Sequence, residues 1–421
     1  MSAPRDVRMR GFAERSSVEA AITWIDGAIR QQARPWESLP LKTLCGRVLA
    51  QDVAAQLDVP AFQRSAMDGY AVQAATTIGA TDYTPVELRL VDEAFPGRPA
   101  NTPVTAQHCV RVMTGAPIPA GADAVVPVEF TSLHHDIVSI TTALPEGKHI
   151  GRIGEDVAAG ATILSSERRI RPQDVGLLAS VGVDSAAVYV QPRVRIITTG
   201  NELVEPGRER GPWQIFDANT SILRALICRD DGVVESVRRV DDDRTAIAAV
   251  LAEPGADVIL VSGGSSVGSE DYAPALVREL GELPIHGLAM RPSSPAGMGR
   301  VGDALVFLLP GNPVSCLCAY DFFAGRAIRQ LAGRAGTWPY AVQRAPLRQK
   351  IVSVVGRTDY CRVERESDEF IPIAVSGASI LSSTTRADGF VIVPAASEGF
   401  AAGTSVNGFL YDSPLTEPET Y

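Results

Sequence analysis

Several features are scarce in this sequence, and each scarcity excludes a class of protein. No stretch approaches the roughly 20 consecutive apolar residues that a membrane-spanning helix requires. The amino terminus carries charge with no apolar segment behind it, so we expect no secretory signal. Positive charge is in deficit: 39 Lys and Arg face 49 Asp and Glu, giving a formal net charge of −10. That balance disfavours a nucleic-acid or anionic-membrane surface.

Cysteine and histidine are also few. The five histidines are scattered, and we assign none a catalytic role. The six cysteines match neither the spacing of a zinc site nor a disulfide framework: Cys45, Cys109, Cys228, Cys316, Cys318 and Cys361. We expect buried free thiols in a reduced compartment, and therefore a cytoplasmic protein.

The length of 421 residues and the changes in sequence pattern along the chain predict several domains rather than one. A capping box at residues 16–19 (Ser-Ser-Val-Glu) opens a helix. From about 50 to 190, short β-like runs alternate with Pro- and Gly-rich turns, which indicates small β-rich modules. After a boundary at 335–339, residues 342–421 have short strands, which predicts a small β-barrel or sandwich.

Between these regions the pattern indicates a doubly wound α/β domain. Strands at 194–199, 233–240, 257–262 and 305–309 alternate with helices at 219–229, 244–253 and 272–280, and a long helix runs to 331. Ligands of such sheets bind at the carboxyl ends of the strands. Polar turns fall at those ends, at 199–202, 241–243, 262–271 and 310–313.

The glycine-rich turn after the third of these strands is the most informative segment. Residues 262–268 read Ser-Gly-Gly-Ser-Ser-Val-Gly, and Asp271 follows. Gly263, Gly264 and Gly268 allow backbone conformations in which consecutive N–H groups converge on an anion. The turn predicts a site for a phosphorylated ligand with a metal beside it, although similar turns are common in α/β proteins.

Two further turns have a simple structural alternative. The segment 309–315 (Leu-Pro-Gly-Asn-Pro-Val-Ser) starts a helix at Pro313, which is either an anion site or a rigid connector. Asp241, Asp242 and Asp243 could bind Mg²⁺, or one of them could cap the next helix. In the amino-terminal half, the polar segments around Asp68, at 111–117 and at 151–156 are read from physics alone as ordinary turns.

Taken together, the motifs resemble the molybdopterin molybdenumtransferase family, which includes the gephyrin E domain. The resemblance runs through residues 65–71 (Ser-Ala-Met-Asp-Gly-Tyr-Ala), 113–117, 154–156, 199–203, 262–268 with Asp271 and Tyr272, and 309–315. Residues 356–360 and 379–383 extend it into the tail.

The resemblance implies an elongated homodimer of four-domain protomers. The expected domains are a linker and dimerisation domain (1–57 and 151–190), a small β-rich domain (58–150), the molybdopterin-binding α/β domain (191–338) and a carboxyl-terminal β-barrel (342–421). The active cleft would lie between the α/β domain of one protomer and the amino-terminal modules of the other. Molybdopterin adenylyltransferase and apo-molybdoenzymes are the candidate protein partners.

The implied reaction is the insertion of molybdenum from molybdate into adenylylated molybdopterin, with Mg²⁺-dependent release of AMP. The catalytic candidates are Asp68, Asp156, Glu202 and Asp271, and the metal candidates are Asp242, Asp243 and Asp271. The ligand-binding candidates are Thr114, Gly200, Ser262, Gly263, Gly264, Ser265, Gly268, Arg291, Pro310, Gly311, Asn312, Pro313 and Ser315.

One departure from the family pattern concerns charge. Where the family often has a Lys-Pro-Gly-Lys-Pro turn, residues 290–299 read Met-Arg-Pro-Ser-Ser-Pro-Ala-Gly-Met-Gly. Arg291 can replace one lysine, whereas Ser294 cannot replace the other. The alternatives are therefore a paralogue with altered oxyanion specificity, such as for tungstate, and a non-catalytic cofactor-binding chaperone. A nucleotide hydrolase or adenylyltransferase that shares the α/β domain is a third interpretation.

Overall fold

The computed structural model describes residues 15–264, 271–374 and 377–412, and these divide into two compact units. The β-rich unit is Ser38–Val188. The α/β unit combines the residues up to Glu37 with those from Tyr189 onward. Within the described ranges, no helix has the length and apolar character needed to cross a membrane.

The helices of the described residues lie mainly in the α/β unit. They are α1 (Val18–Arg30), α2 (Pro172–Ser180), α3 (Ala218–Arg229), α4 (Arg244–Ala252), α5 (Ala273–Leu280), α6 (Pro313–Ala319), α7 (Gly325–Leu331) and α8 (Ser382–Arg386). Short 3₁₀ turns occur at Leu41–Thr43, Ala74–Thr77 and Val128–Phe130. The predicted long helix to 331 is instead α6 and α7 joined by a π-helical turn, Tyr320–Ala324.

The β-rich unit is built on a six-stranded sheet of order β7-β4-β6-β5-β9-β8. Its strands are β1 (Trp36–Pro40), β2 (Val53–Ala54), β3 (Arg64–Ser65), β4 (Gly69–Val72), β5 (Val86–Ala94), β6 (His108–Val112), β7 (Ala124–Pro127), β8 (Thr131–His134), β9 (Ile137–Ile140), β10 (Ile150–Gly151), β11 (Thr162–Leu164) and β12 (Ser185–Tyr189). Two-stranded pairs β1–β12, β2–β11 and β3–β10 complete it. The sheet buries apolar residues on both faces.

The α/β unit contains a mixed six-stranded sheet of order β16-β13-β17-β21-β20-β18. Its strands are β13 (Arg193–Thr199), β16 (Val233–Val240), β17 (Val258–Ser262), β18 (Gly281–His286), β20 (Gly297–Val301) and β21 (Ala304–Leu309). β13 pairs in parallel with β16 and with β17, and β17 pairs in parallel with β21. β20 is antiparallel to both of its neighbours, β18 and β21. β17 is buried at all five positions, as expected for a strand covered on both faces. Outside this sheet, β14 (Leu203–Val204) pairs with β15 (Ile215–Phe216), and β19 is Met290–Arg291.

Helix α1 belongs to the core of the α/β unit. The side chain of Ser17 caps it by accepting the N–H of Ala20 at 3.1 Å. Val18, Ile25 and Ile29 belong to the apolar core of this unit, and α1 contacts α7 and the π-helical turn. The structure therefore places this helix with the α/β sheet, whereas the expected boundary at 1–57 assigned it to the linker domain.

The tail forms a sheet of order β19-β24-β26-β28-β22, with β25 paired to β24. Its strands are β22 (Ala341–Pro346), β23 (Ile351–Val352), β24 (Thr358–Glu366), β25 (Glu369–Ala374), β26 (Gly389–Val393), β27 (Gly399–Phe400) and β28 (Ser405–Leu410), and β23 pairs with β27. The parallel pairing of β19 with β24 joins this sheet to the α/β domain. The short helix α8 was not expected from the sequence.

Candidate functional site

A cleft of about 730 Å³ opens at the carboxyl ends of the parallel strands in the α/β unit. All four of the polar turns singled out in the sequence contribute to it. The lining residues are Thr198, Thr199, Gly200, Glu202, Leu203, Ile215, Phe216, Asp217, Ala218, Asn219, Asp242, Ser262, Gly263, Gly264, Asp271, Pro295, Pro310, Gly311, Asn312, Pro313 and Ser379. The cleft has the location and the size that ligand sites of α/β sheets show.

The turn after β13 requires glycine at Gly200. Its φ is +147°, in the range that favours glycine. A Cβ atom at this position would meet the carboxylate oxygens of Glu202 at 2.7 and 2.9 Å. The missing side chain therefore lets the Glu202 carboxylate fold over the turn at the cleft wall.

The turn after β17 is in close contact with the turn after β13. Gly263 and Gly264 have φ of +95° and +54°. A Cβ atom at Gly263 would lie 2.4 Å from the Thr199 carbonyl oxygen. The N–H of Gly263 donates to the Leu309 carbonyl at 3.3 Å, so this amide holds the neighbouring β21 turn in place. Ser265 and Gly268, which the sequence also assigned to the anion site, lie outside the described residues.

Two carboxylates lie near the contact between these two turns. The position of a Cβ on Gly264 is 4.0 Å from Asp271 Oδ1. Asp242 accepts the Asn201 N–H at 3.3 Å, and Asn201 Oδ1 accepts the Asp242 N–H at 3.2 Å. These reciprocal hydrogen bonds attach the acidic turn after β16 to the turn after β13. Asp242 and Asp271 thus line the same cleft.

Asp243 has a different position from the other acidic candidates. Its carboxylate accepts the Ala246 N–H at 2.7 Å and caps α4, and it does not line the cleft. Across the described ranges, no three Asp, Glu, His or Cys side chains come close enough to hold a metal ion unaided.

Asn219, which the sequence reasoning missed, connects two of the turns. Its Nδ2 donates to Ser262 Oγ at 2.8 Å and to the Gly311 carbonyl at 2.7 Å. It lies in the first turn of α3, whose N-cap Asp217 accepts the Thr220 N–H at 3.0 Å. The signal available in the sequence was an amide two residues after an Asp cap, at the start of a helix that follows the β13 turn. The side chain is nearly fully buried on the floor of the cleft.

Two polar groups at the start of the helix that begins at Pro313 are hydrogen-bonded to residues of the tail. The Ala378 carbonyl accepts the Val314 N–H at 3.0 Å, and the Ser379 hydroxyl donates to Asn312 Oδ1 at 2.9 Å. Helix α6 has only seven residues. The turn thus supplies shape and a carboxamide to the cleft, and one of the expected anion donors is already used within the chain.

Arg291 and Ser315 are the ligand-binding candidates of the described α/β unit that do not line the cleft. The Arg291 guanidinium pairs with the fully buried Asp359 of β24. The Ser315 carbonyl accepts the Ser293 hydroxyl at 2.6 Å. Both contacts fix the segment between β19 and β20, whose Pro295 does line the cleft. The charge of Arg291 is thus compensated within the chain.

The candidates of the β-rich unit gather in three adjoining turns. Asp68 Oδ1 accepts the Thr114 N–H at 2.6 Å and the Thr114 hydroxyl at 2.9 Å. The backbone hydrogen bond, followed by the side-chain bond, lowers the pKa of Asp68 below its ordinary value. Pairing of β3 with β10, and the bridge of Arg64 to Pro117, place the turns of Asp68 and Thr114 beside the segment that leads to the exposed Asp156.

A mixed α/β sheet with a cleft at the carboxyl ends of its parallel strands is the arrangement typical of ligand-binding α/β proteins. Family comparison identifies the class more closely. The chain matches the models of the MoeA N-terminal region (domain I and II) at residues 16–182, the "Probable molybdopterin binding domain" at 195–330, and the MoeA C-terminal region (domain IV) at 344–410.

Curated relatives match over most of their length. The molybdopterin molybdenumtransferase 2 of Mycobacterium tuberculosis is 36% identical over 386 residues, covering 88% of this chain and 93% of the relative. The molybdopterin molybdenumtransferase of Bacillus subtilis is 30% identical over 408 residues, covering 92% and 93%. A crystal structure of a molybdopterin biosynthesis MoeA protein from Pyrococcus horikoshii superposes with a TM-score of 0.84 at 29% identity, covering 95% of this chain and 100% of that one.

The chain belongs to the molybdopterin molybdenumtransferase family. It is accordingly a transferase of molybdenum cofactor biosynthesis, which confirms the prediction that the protein is an enzyme.

Proposed function

We propose that the protein inserts molybdenum from molybdate into adenylylated molybdopterin and releases AMP in a Mg²⁺-dependent step. The observation that carries the proposal is the meeting of Asp242, Asp271 and the Gly263–Gly264 turn in one cleft. A diphosphate ester with an associated cation matches this combination of carboxylates and tightly turned backbone.

The residues of the cleft fit Mg²⁺ when the substrate supplies further oxygen ligands. Mg²⁺ is commonly bound by one or two carboxylates together with substrate phosphates. Asp242 and Asp271 are two such carboxylates, whereas the Asp243 carboxylate is used as a helix cap. When bound, Mg²⁺ would offset negative charge on the diphosphate and on the departing phosphate.

The chain's own residues position the reacting groups. Water adds to a phosphorus of the anhydride, the bridging P–O bond breaks, and AMP leaves while the molybdopterin keeps its own phosphate. The two dithiolene sulfurs bind molybdenum, and their thiol protons leave with one molybdate oxygen as water. We assign Glu202, folded over Gly200, to the wall beside the reacting phosphates. Asn219 holds Ser262 and Gly311, and thus keeps two turns at fixed separation around the ligand. Preorganised polar groups of this kind lower the barrier without reorganising during the reaction.

Further features of the family expectation are part of the same proposal. We infer a homodimer in which Asp68, Thr114 and Asp156 of one protomer complete the cleft of the other. We also infer a closed β-barrel in the tail, a cytoplasmic location and, apart from the assignment of α1, the domain boundaries given above. Support for the role of Asp68 is its hydrogen bonding to Thr114, which keeps the carboxylate ionised and fixed.

The decisive experiment incubates the purified protein with adenylylated molybdopterin, Mg²⁺ and molybdate, and quantifies AMP and metal-loaded pterin. We expect molybdate-dependent AMP release, and we expect Asp271→Asn to abolish it while the circular dichroism spectrum stays unchanged. Tight pterin binding without AMP release, with molybdate or with tungstate, would instead identify a binding protein.

A further inference from the structure

The β14–β15 pair exposes an unusual amount of apolar surface beside the cleft. Ile215 and Phe216 are 53% and 47% exposed, and both line the cleft. Trp213, just before them, is 90% exposed. Large apolar side chains that cluster in the open at the mouth of a polar cleft commonly mark a ligand-contacting surface.

Two backbone hydrogen bonds to the segment of β14 hold this segment before and after Phe216, so the two side chains start from a fixed backbone. The Ile215 N–H donates to the Glu202 carbonyl at 2.8 Å, and the Asp217 N–H donates to the Val204 carbonyl at 2.9 Å. Asp217 then caps α3. Because this backbone is already ordered, a ligand that covers the two side chains has to order the side chains only, which favours binding.

The lining of the cleft therefore combines two kinds of surface. Asp242, Asp271 and the glycine turn suit the charged part of a ligand, whereas Ile215 and Phe216 suit a flat apolar part. A molecule with a diphosphate at one point and a planar ring at another would contact both. A purely inorganic anion would leave the apolar surface uncovered.

We propose that Phe216, with Ile215 beside it, forms a stacking subsite for a fused nitrogen heterocycle of the substrate. This inference rests on the proposed function, because adenylylated molybdopterin carries two such rings, the pterin and the adenine. Phe216 is then a specificity-determining residue that contacts the ring. Offset stacking of aromatic rings contributes enough to change affinity by about 2- to 12-fold beyond the burial of apolar area.

The test measures ring binding directly by titration calorimetry, using AMP and 6-hydroxymethylpterin as separate probes. Phe216→Leu keeps an apolar side chain and loses the aromatic face, whereas Phe216→Tyr keeps the face. The matched control is Phe400→Leu, because Phe400 packs against the tail core and does not line the cleft. We expect Phe216→Leu to weaken one probe by about 2- to 12-fold, and Phe216→Tyr and Phe400→Leu to leave its affinity within twofold.

The probe that weakens identifies the ring. Unchanged affinity for both probes in Phe216→Leu overturns the proposal, and so does an equal loss in Phe216→Tyr. If Phe216→Leu alters the molar mass by light scattering while both affinities stay constant, the side chain serves assembly and the subsite is rejected. The proposed function can fail separately from the subsite. If the protein releases no AMP but still binds one probe in a way that depends on Phe216, the insertion reaction is rejected and the subsite is retained.

Discussion

At the scale of single residues, Asn219 shows how one side chain organises the cleft. It is the donor to both Ser262 and Gly311, which belong to turns that follow different strands. Replacing it by Asp keeps the shape and removes the donors, and thus leaves the Gly311 carbonyl facing a carboxylate. A lost hydrogen bond that leaves a buried acceptor unsatisfied costs about 1–3 kcal/mol.

We therefore predict that Asn219→Asp lowers kcat/KM for AMP release by roughly 10- to 100-fold, as such a loss implies. The control is Asn407→Asp, at an exposed position of β28. Wild-type kinetics in Asn219→Asp would show that the two turns keep their geometry without the amide.

A second residue-scale prediction concerns the ionisation of Asp68. Because its folded-state pKa is lowered, the stability that its ionised form contributes is present above the unfolded pKa and is lost as the pH falls through the folded value. Thr114→Ala removes the hydroxyl and keeps the backbone donor. We expect it to raise the pKa of Asp68 only part of the way to the ordinary value, as measured by carbon NMR titration of the carboxyl group. An unchanged titration would mean that the backbone bond alone sets the shift.

The thiols provide a third check. The structure has six free cysteines, of which Cys45 and Cys228 are exposed, contrary to the expectation that all are buried. Burial raises the pKa of Cys109, Cys316 and Cys361 to about 12. At pH 8 we predict fast modification of two thiols by a thiol-reactive disulfide in the folded protein and slow modification of four. Mass spectrometry of the labelled peptides identifies which they are, and fast labelling of Cys316 would contradict the packing.

At the scale of elements, the acidic turn before α4 separates capping from ligand binding. Asp243 caps the helix, whereas Asp242 lines the cleft. Asp243→Ser keeps a capping oxygen, so we predict normal AMP release. Asp243→Ala should cost about 0.5–2 kcal/mol of stability with activity retained, and Asp242→Ser should lose activity with stability retained. Urea denaturation measures the stabilities and the AMP assay measures the activities. A loss of activity in Asp243→Ser would indicate that Asp243 binds the metal after all.

The sequence predicted most of the helices of the α/β domain because their ends are chemically marked. Residues 219–229 and 244–253 were expected, and α3 and α4 follow Asp217 and Asp243 caps closely. Strands β18 and β20 were missed: β18 contains Pro284 and begins with Gly281, so its apolar periodicity is weak. The single long helix was wrong because the sequence does not mark the π-helical turn.

The polar turns were expected to lie together because parallel strands end at one edge, and the structure brings them into one cleft. The pairing of Arg291 with Asp359 could not be predicted, since the partners are 68 positions apart and are brought together only when β19 pairs with β24. The same holds for Asn219, whose contacts depend on how two turns fold toward α3.

At the scale of the whole molecule, a buried ion network connects distant elements of the α/β unit. Arg229 donates to Asp230 and to Asp321, each at 2.8 Å, and Arg329 pairs with Asp230 at 3.0 Å. The Tyr340 hydroxyl, just before β22, donates to Asp321 at 2.8 Å. The network thus joins α3, the π-helical turn and α7 to the start of the tail sheet.

Removing one partner of this network leaves a buried charge uncompensated. We predict that Asp321→Ala lowers the unfolding free energy by about 3–5 kcal/mol. The control is Asp136→Ala, which breaks the exposed pair with Arg89 and should cost about 0–1 kcal/mol. Chemical denaturation followed by fluorescence measures both. Equal, small effects would show that the network adds little to stability.

The position of α1 has a consequence for biosynthesis. This helix is made before the β-rich unit, yet the π-helical turn and α7, against which it packs, begin only at Tyr320, about 290 residues later. At ribosomal speeds of about 5–20 residues per second, that interval lasts on the order of 15–60 s. The inserted β-rich unit is continuous in sequence and can complete its own folding in the meantime. We expect the nascent α1 to be a chaperone-binding segment during this delay, and its release to coincide with the emergence of the π-helical turn and α7.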